Sequence, residues 1–268
     1  MVDLVQIDIL TKILLSAILI MAGLIIFLIL IILFKKYRRN RKERVRKIFQ
    51  SIIDQTLFNY LFDDDETDYI KESKLFDQYF STSLFFKKLT LKSLVTLQNN
   101  YTGGYKKKLE HFFVEKNLHQ YAMNKLNSVR WPHIVEGIRD LSSMNYTSAA
   151  PQINRLLNHS HSMVRSEALL GMIKLNGISE LYLMKNSDMN LNDWLQCNIM
   201  FVIIQQKLED PGNLDILLDS SIPSWRIFAL RLMQYYKSSP YLLTIKSLND
   251  QNADPLLKIE IEKWKHQI

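Results

Sequence analysis

The sequence predicts an all-α protein, an N-terminal transmembrane helix followed by an α-α superhelix of stacked helix pairs. Three observations predict it. One apolar run is long enough to cross a bilayer. Apolar residues recur at three- and four-residue steps through nearly all of the rest, and a period of about 31 residues runs through the second half. Composition agrees: 7 Gly and 6 Pro among 268 residues leave few tight turns for an all-β fold.

The first twelve residues form a short segment ahead of the span. Ile13 to Phe34 is 22 residues without a charge, rich in Leu and Ile. At about 1.5 Å per residue it matches the ~30 Å hydrocarbon core. A buried soluble helix of that length would carry a polar stripe, and this run has none. A cleaved signal peptide would need a basic start and a small-residue cleavage site. Here Asp3 and Asp8 precede the run, and Phe34 leads straight into Lys35. The expectation is an uncleaved anchor.

Residues 35–47 are a basic collar. Lys35, Lys36, Arg38, Arg39, Arg41, Lys42, Arg44, Arg46 and Lys47 are opposed only by Glu43. Positive charge is retained on the cytoplasmic side, so the N-terminus is expected outside and the C-terminal domain in the cytoplasm, at the inner membrane. The collar can also rest on anionic lipid headgroups. It accounts for the whole charge imbalance. The chain is +7 overall, residues 1–47 hold ten Lys/Arg and three Asp/Glu, and 24 of each remain. A neutral remainder excludes a nucleic-acid partner, which needs concentrated Lys and Arg.

Residues 48–130 read as an irregular helical capping region. Ile48–Phe62, Leu75–Asn99 and Tyr105–Leu126 carry helical apolar periodicity, and Gly103-Gly104 marks a turn. Terminal units of a stack hide an apolar face, so atypical sequence is expected there.

Residues 131–268 carry the repeat. Units begin at His133, Val164, Trp194, Trp225 and Leu256, with steps of 31, 30, 31 and 31. Five residues on stand Ile138, Leu169, Ile199, Leu230 and Ile261, and eight on stand Leu141, Met172, Val202, Met233 and Trp264. Those offsets share one helical face. Four on, small residues allow close helix approach at Gly137, Ala168 and Ala229, while Asn198 and Glu260 depart. A preceding helix supplies Ile153, Leu183, Leu214 and Ile245, then Leu156, Asn186, Leu217 and Leu248. Asn186 breaks that pattern, so the first helix of its unit is expected short or displaced. The prolines all lie between residues 132 and 255, where they precede or open helices.

Val164-Arg165-Ser166-Glu167-Ala168-Leu169 and Trp225-Arg226-Ile227-Phe228-Ala229-Leu230 resemble the second helix of a HEAT (armadillo-like) repeat. The resemblance covers residues ~131–268 and implies a HEAT-like solenoid of four to seven helix pairs. It also implies that Arg165 and Arg226 link repeats structurally and do not contact ligand. One N-terminal span, a basic collar and a HEAT-type domain together resemble bacterial-envelope proteins that partner membrane glycosyltransferases in polysaccharide synthesis or export.

No catalytic constellation emerges. His159-Ser160-His161 is a close pair in a connection, without a third ligand at zinc spacing. Asp63-Asp64-Asp65-Glu66, with Asp68, lacks the glycine and spacing of a calcium loop. It reads as a solvated turn, and an enzyme subunit with an unrecognised site near Asp63–Asp68 is the rival reading. Cys197 is the single cysteine, which excludes a disulfide framework; it is expected buried and inert in an apolar helix. No cofactor, metal or catalytic residue is assigned. Trp131, Trp194 and Trp225 are the candidate partner-binding residues if exposed. The expected function is a non-catalytic, membrane-tethered scaffold whose solenoid binds another inner-membrane protein. The alternatives are a glycosyltransferase's regulatory partner and an anionic-lipid sensor working through the collar.

Overall fold

A computed structural model describes the backbone of residues 2–62, 66–185 and 187–237, with 241, 259 and 262. The described residues are all-helical, with no strand. They divide into two compact units, Met1–Thr90 and Leu91–Ile268.

In the first unit, α1 is one helix from Val2 to Phe62. Its 61 residues make a rod about 90 Å long. The apolar run, the collar and the first capping segment are therefore one continuous helix. No proline or glycine interrupts residues 24–62, and the collar's Arg, Lys and Glu are good helix formers. From Ile20 onwards α1 is long and apolar enough to cross a membrane, with a best-window mean hydropathy of 2.3 and none of that window buried. The far end is different. Ile53, Leu57 and Leu61, at four-residue steps, are buried. α2 (Glu66–Thr82) packs against α1. Phe49 is the pivot, within 5.0 Å of Tyr79, 5.1 Å of Phe86 and 6.1 Å of Phe85, ring centre to ring centre. Phe76 and Phe86 are fully buried beside it. Each such side chain contributes roughly 1.5–3 kcal/mol on leaving water.

The periodicity predicts one helix over Leu75–Asn99; the chain instead turns at Ser83. α2 ends as the Thr82 hydroxyl donates back to the Gln78 carbonyl at 2.8 Å. The Ser83 hydroxyl then accepts from the Phe86 N–H at 3.2 Å and starts α3 (Leu84–Asn100). Ser and Thr offer the backbone these local alternatives, and an apolar pattern does not report them.

The second unit holds the repeats. α4 (Gly104–Glu115) comes after Gly103, whose φ of 65° suits glycine. Tyr105–Leu126, read as one helix, is two: Asn117 takes the left-handed conformation, φ 55°, and α5 runs over Leu118–Leu126. Then come α6 (Trp131–Ser143), α7 (Ala150–Arg155), α8 (Ser162–Asn176), α9 (Glu180–Met184), α10 (Asp193–Gln206) and α11 (Pro223–Tyr236). Short 3-10 turns cover Thr147–Ala149, Leu156–Asn158 and Leu214–Asp219. Pro132, Pro151 and Pro223 occupy first-turn positions, where no N–H is missed.

α6 packs on α5 and α8, and α8 packs on α10. The repeat's inward positions form this core: Ile138, Leu169, Ile199 and Leu230, with Leu141, Met172, Val202 and Met233, are all buried. The close-approach position is filled tightly. A methyl on Gly137 would lie 2.9 Å from Lys125 Cβ and 3.0 Å from the Ala122 carbonyl oxygen. Asn198, at the same position of its unit, is half-buried and its amide donates to the Trp194 carbonyl at 2.7 Å.

Leu183 is a correction. Expected inward, it is 75 % exposed, while Leu181 and Met184 are buried. α9 is five residues long, and Glu180 is held by the Asn176 amide at 2.7 Å. Gly177, at φ 90°, ends α8 and resets the register of α9. The fifth unit (Leu256, Leu257, Glu260, Ile261, Trp264), Ile245, Leu248, Asn186, Pro240 and Pro255 lie outside the described residues.

Candidate functional site

Two surfaces bring the chemistry-bearing residues together, one in each unit. In the first unit the collar is a sheath of charge around α1. Lys35, Lys36, Arg38, Arg39, Arg41, Lys42, Arg44, Arg46 and Lys47 are all exposed. Their steps of one and two residues place them on every side of the helix. The Arg38 guanidinium lies 5.7 Å from the Phe34 ring centre, turned back towards the apolar run. Of the acidic run, Asp63, Asp64 and Asp65 lie outside the described residues, and Glu66 opens α2.

In the second unit the tryptophans separate. Trp131 is 41 % and Trp194 45 % exposed, whereas Trp225 is fully buried. The Trp225 indole N–H donates to the Met189 carbonyl at 2.7 Å. Trp225 is therefore a core anchor tying α11 to the segment of chain before α10, and it is withdrawn as a binding residue. Trp194 and Trp225 share a repeat position. They differ by one place in the helix: Trp194 is the second residue of α10, where Leu195 and Gln196 take the inner face, whereas Trp225 is the third of α11.

α10 carries a second apolar face. Leu195, Ile199, Val202 and Ile203 are buried, yet Trp194, Phe201 (61 %) and Ile204 (52 %) are exposed. Cys197, Phe201 and Ile204 lie three, seven and ten residues beyond Trp194, which makes one helical stripe. Cys197 is exposed, against the expectation of a buried thiol. Mean apolarity alone does not say which side of such a helix the protein covers. A helix apolar all round is ordinarily enclosed, so this bare face is the surface the sequence reading missed.

Trp131 has a different task. Its ring stacks on His161, centres 4.4 Å apart and planes at 17°. His161 Nδ1 accepts from the Met163 N–H at 3.2 Å and so caps α8. The His161 N–H donates to His159 Nδ1 at 3.0 Å. The paired histidines thus spend these ring lone pairs on backbone donors. Among the described residues no group of three or more His, Cys, Asp or Glu could hold a metal ion.

The Arg165 guanidinium donates to the His159 and Ser160 carbonyls at 3.0 and 3.3 Å, in the connection leading into its own helix. Arg226 is half-buried on α11. Two further pairs link neighbouring helices of the stack. Arg139 on α6 donates to Glu167 on α8 at 2.6 Å, and Arg231 on α11 donates to Gln196 on α10 at 2.8 Å. The Glu167 bond raises the Arg139 pKa further above its already high value. Burial lowers that of Lys174 nearby, against the attraction of Glu167.

One tyrosine cluster surrounds Asp210. The Tyr241 hydroxyl donates to its carboxylate at 2.6 Å, and the Tyr236 hydroxyl donates to the Leu208 carbonyl at 2.8 Å. Burial, with the nearby Asp210 charge, raises all three phenols, Tyr182 to about 12.

No protein-family model matches the chain, and no curated protein matches it.

Proposed function

We propose that this chain is a non-catalytic scaffold tethered to the inner membrane, with its N-terminus outside and its helical part in the cytoplasm. In this reading residues 13–34 of α1 cross the bilayer, and residues ~131–268 form a HEAT-like solenoid that binds another membrane protein. The observation that carries it is the bare apolar stripe on α10. Trp194, Phe201 and Ile204 would otherwise hold large apolar area in water at a cost of roughly 1 kcal/mol or more each. Aromatic anchors of this kind dominate protein interfaces. The serial packing of α5, α6, α8 and α10 supports the solenoid, because each unit of such a stack touches its neighbours.

The mechanism is effective concentration. A protein confined beside a bilayer meets other membrane proteins without paying again for translation, so a small contact suffices. A continuous helix is a stiff spacer, unlike a glycine-rich linker. The collar sets its height at the surface. A membrane glycosyltransferase is the partner implied by the envelope-protein resemblance.

The test is crosslinked co-purification of the tagged full-length protein from membranes in mild detergent. A parallel sample carries Trp194→Gln, Phe201→Gln and Ile204→Gln. A stoichiometric membrane protein captured by the parent and lost from the triple variant, with helicity unchanged, supports the reading. Identical capture by both refutes the α10 stripe as the contact. Capture of a glycosyltransferase would name the pathway.

A further inference from the structure

We propose that α1 and the α2–α3 corner hold one anionic phospholipid of the bilayer, its phosphate among Arg38, Arg41 and Lys42; the proposal rests on α1 crossing the membrane. Two open furrows run along α1 and share Phe34 and Arg38. The upper one, about 400 Å³, is lined by Phe27, Leu30 and Ile31 on the apolar run. The lower one, about 690 Å³, is walled by Tyr37, Arg41, Lys42 and Val45 of α1 and by Phe85 at the start of α3. Arg38, Arg41 and Val45 lie four, seven and eleven residues beyond Phe34, so the four share a face.

The chemistry along this face changes once, from apolar to cationic. Arg38, Arg41 and Lys42 lie about 6–12 Å beyond Phe34 along the axis. A headgroup layer extends about 5–8 Å beyond the hydrocarbon on each side. Arginine and lysine reach back over several ångströms while their stems stay on apolar surface, and the Arg38 guanidinium already lies over the Phe34 ring. Acyl chains against Phe27, Leu30 and Ile31 therefore deliver a phosphate to these three cations. Arginine's planar fork suits phosphate oxygens.

Phe85 makes this a site and not merely a charged helix. It is 43 % exposed, yet its ring leans on Phe49, 6.1 Å away, inside the aromatic cluster that joins α1 to α2. A fixed apolar wall beside the cations lowers the local dielectric and strengthens their hold on an anion. The collar residues on the opposite side have no such wall: Lys36, Arg39 and Lys47 lie away from this face of α1.

The experiment places full-length protein in nanodiscs of phosphatidylcholine containing phosphatidylglycerol. Native mass spectrometry then counts the phosphatidylglycerol retained on ejection. The parent should keep one molecule in preference to phosphatidylcholine. Arg38→Gln/Arg41→Gln/Lys42→Gln should lower that retention roughly 100-fold, at about fivefold per cation near the surface. Lys36→Gln/Arg39→Gln/Lys47→Gln removes the same charge from the opposite side of α1 and should retain the lipid as the parent does, because none of the three lines the lower furrow. Phe85→Ala should weaken retention, and Phe85→Leu should restore it. Equal losses in the two triple variants would show diffuse attraction to the collar and overturn the site. Carbonate extraction of the parent from its membranes separates the underlying reading. Release into the soluble fraction refutes the membrane crossing and the site with it; a protein that stays put but retains no lipid selectively refutes the site alone.

Discussion

Substitution of Gly137 by alanine sets two opposing effects against each other. In a helix interior alanine is favoured over glycine by roughly 1 kcal/mol. Against that, the new Cβ would lie 2.9 Å from Lys125 Cβ, 3.0 Å from the Ala122 carbonyl oxygen and 3.1 Å from Leu126 Cδ2. The first two atoms belong to or adjoin the α5 backbone, so α5 must move as a body. Lys125 also holds Asp140 at 2.7 Å and Glu136 at 3.4 Å, and a shift would stretch both pairs. Overpacking of this kind costs about 1–3 kcal/mol, and backbone involvement puts it in the upper half of that range. The net expectation is a loss of about 1–2 kcal/mol, or roughly 2–8 °C in Tm for a protein of this size. Gly104→Ala is the control: nothing lies within 4 Å of its Cβ position, so propensity acts alone and Tm should hold or rise. Thermal unfolding monitored by tryptophan fluorescence in detergent reads both. Were Gly137→Ala to stabilise as much as Gly104→Ala, the close approach of α5 and α6 would be refuted.

The same packing sets other outcomes. Arg139→Ala should destabilise by about 1.5–3 kcal/mol, because it strands the nearly enclosed Glu167 carboxylate, and Glu167→Met added to it should recover part of that loss in a double-mutant cycle. Trp225→Phe should cost about 1–3 kcal/mol in urea unfolding by leaving the Met189 carbonyl unpaired. Trp131→Phe, on an exposed ring, should cost less. Lys207, left-handed at φ 52° after α10, should accept glycine with a gain of about 1 kcal/mol, seen as a higher Tm. Stability should also fall under alkali. The pKa values of Tyr182, Tyr236 and Tyr241 are raised in the folded state, Tyr182 to about 12. Their contribution is complete below about pH 10 and disappears as pH rises through the folded values, so Tm should decline steeply above pH 10. Substitution of Tyr182 by Phe should flatten that decline.

Helical class, the apolar run and the inward positions of the repeat were legible in the sequence by itself, because all three are periodic. Fixed offsets of five and eight residues from each unit's start name a helix face whatever the neighbours are, and Ile138, Leu169, Ile199 and Leu230 are indeed buried. The charge split was equally legible, since counting needs no coordinates. Tertiary structure alone decided the rest. Breaks at Ser83 and Asn117 depend on single side-chain and backbone choices that leave the periodicity intact. The fates of Trp194 and Trp225 diverge at one repeat position, because one faces solvent and the other reaches a carbonyl 36 residues back. α10 is apolar on both sides, so no pattern along the chain could say which side its neighbours leave bare. Burial is a property of what packs against a residue, and contacts far apart in sequence carry no local signature.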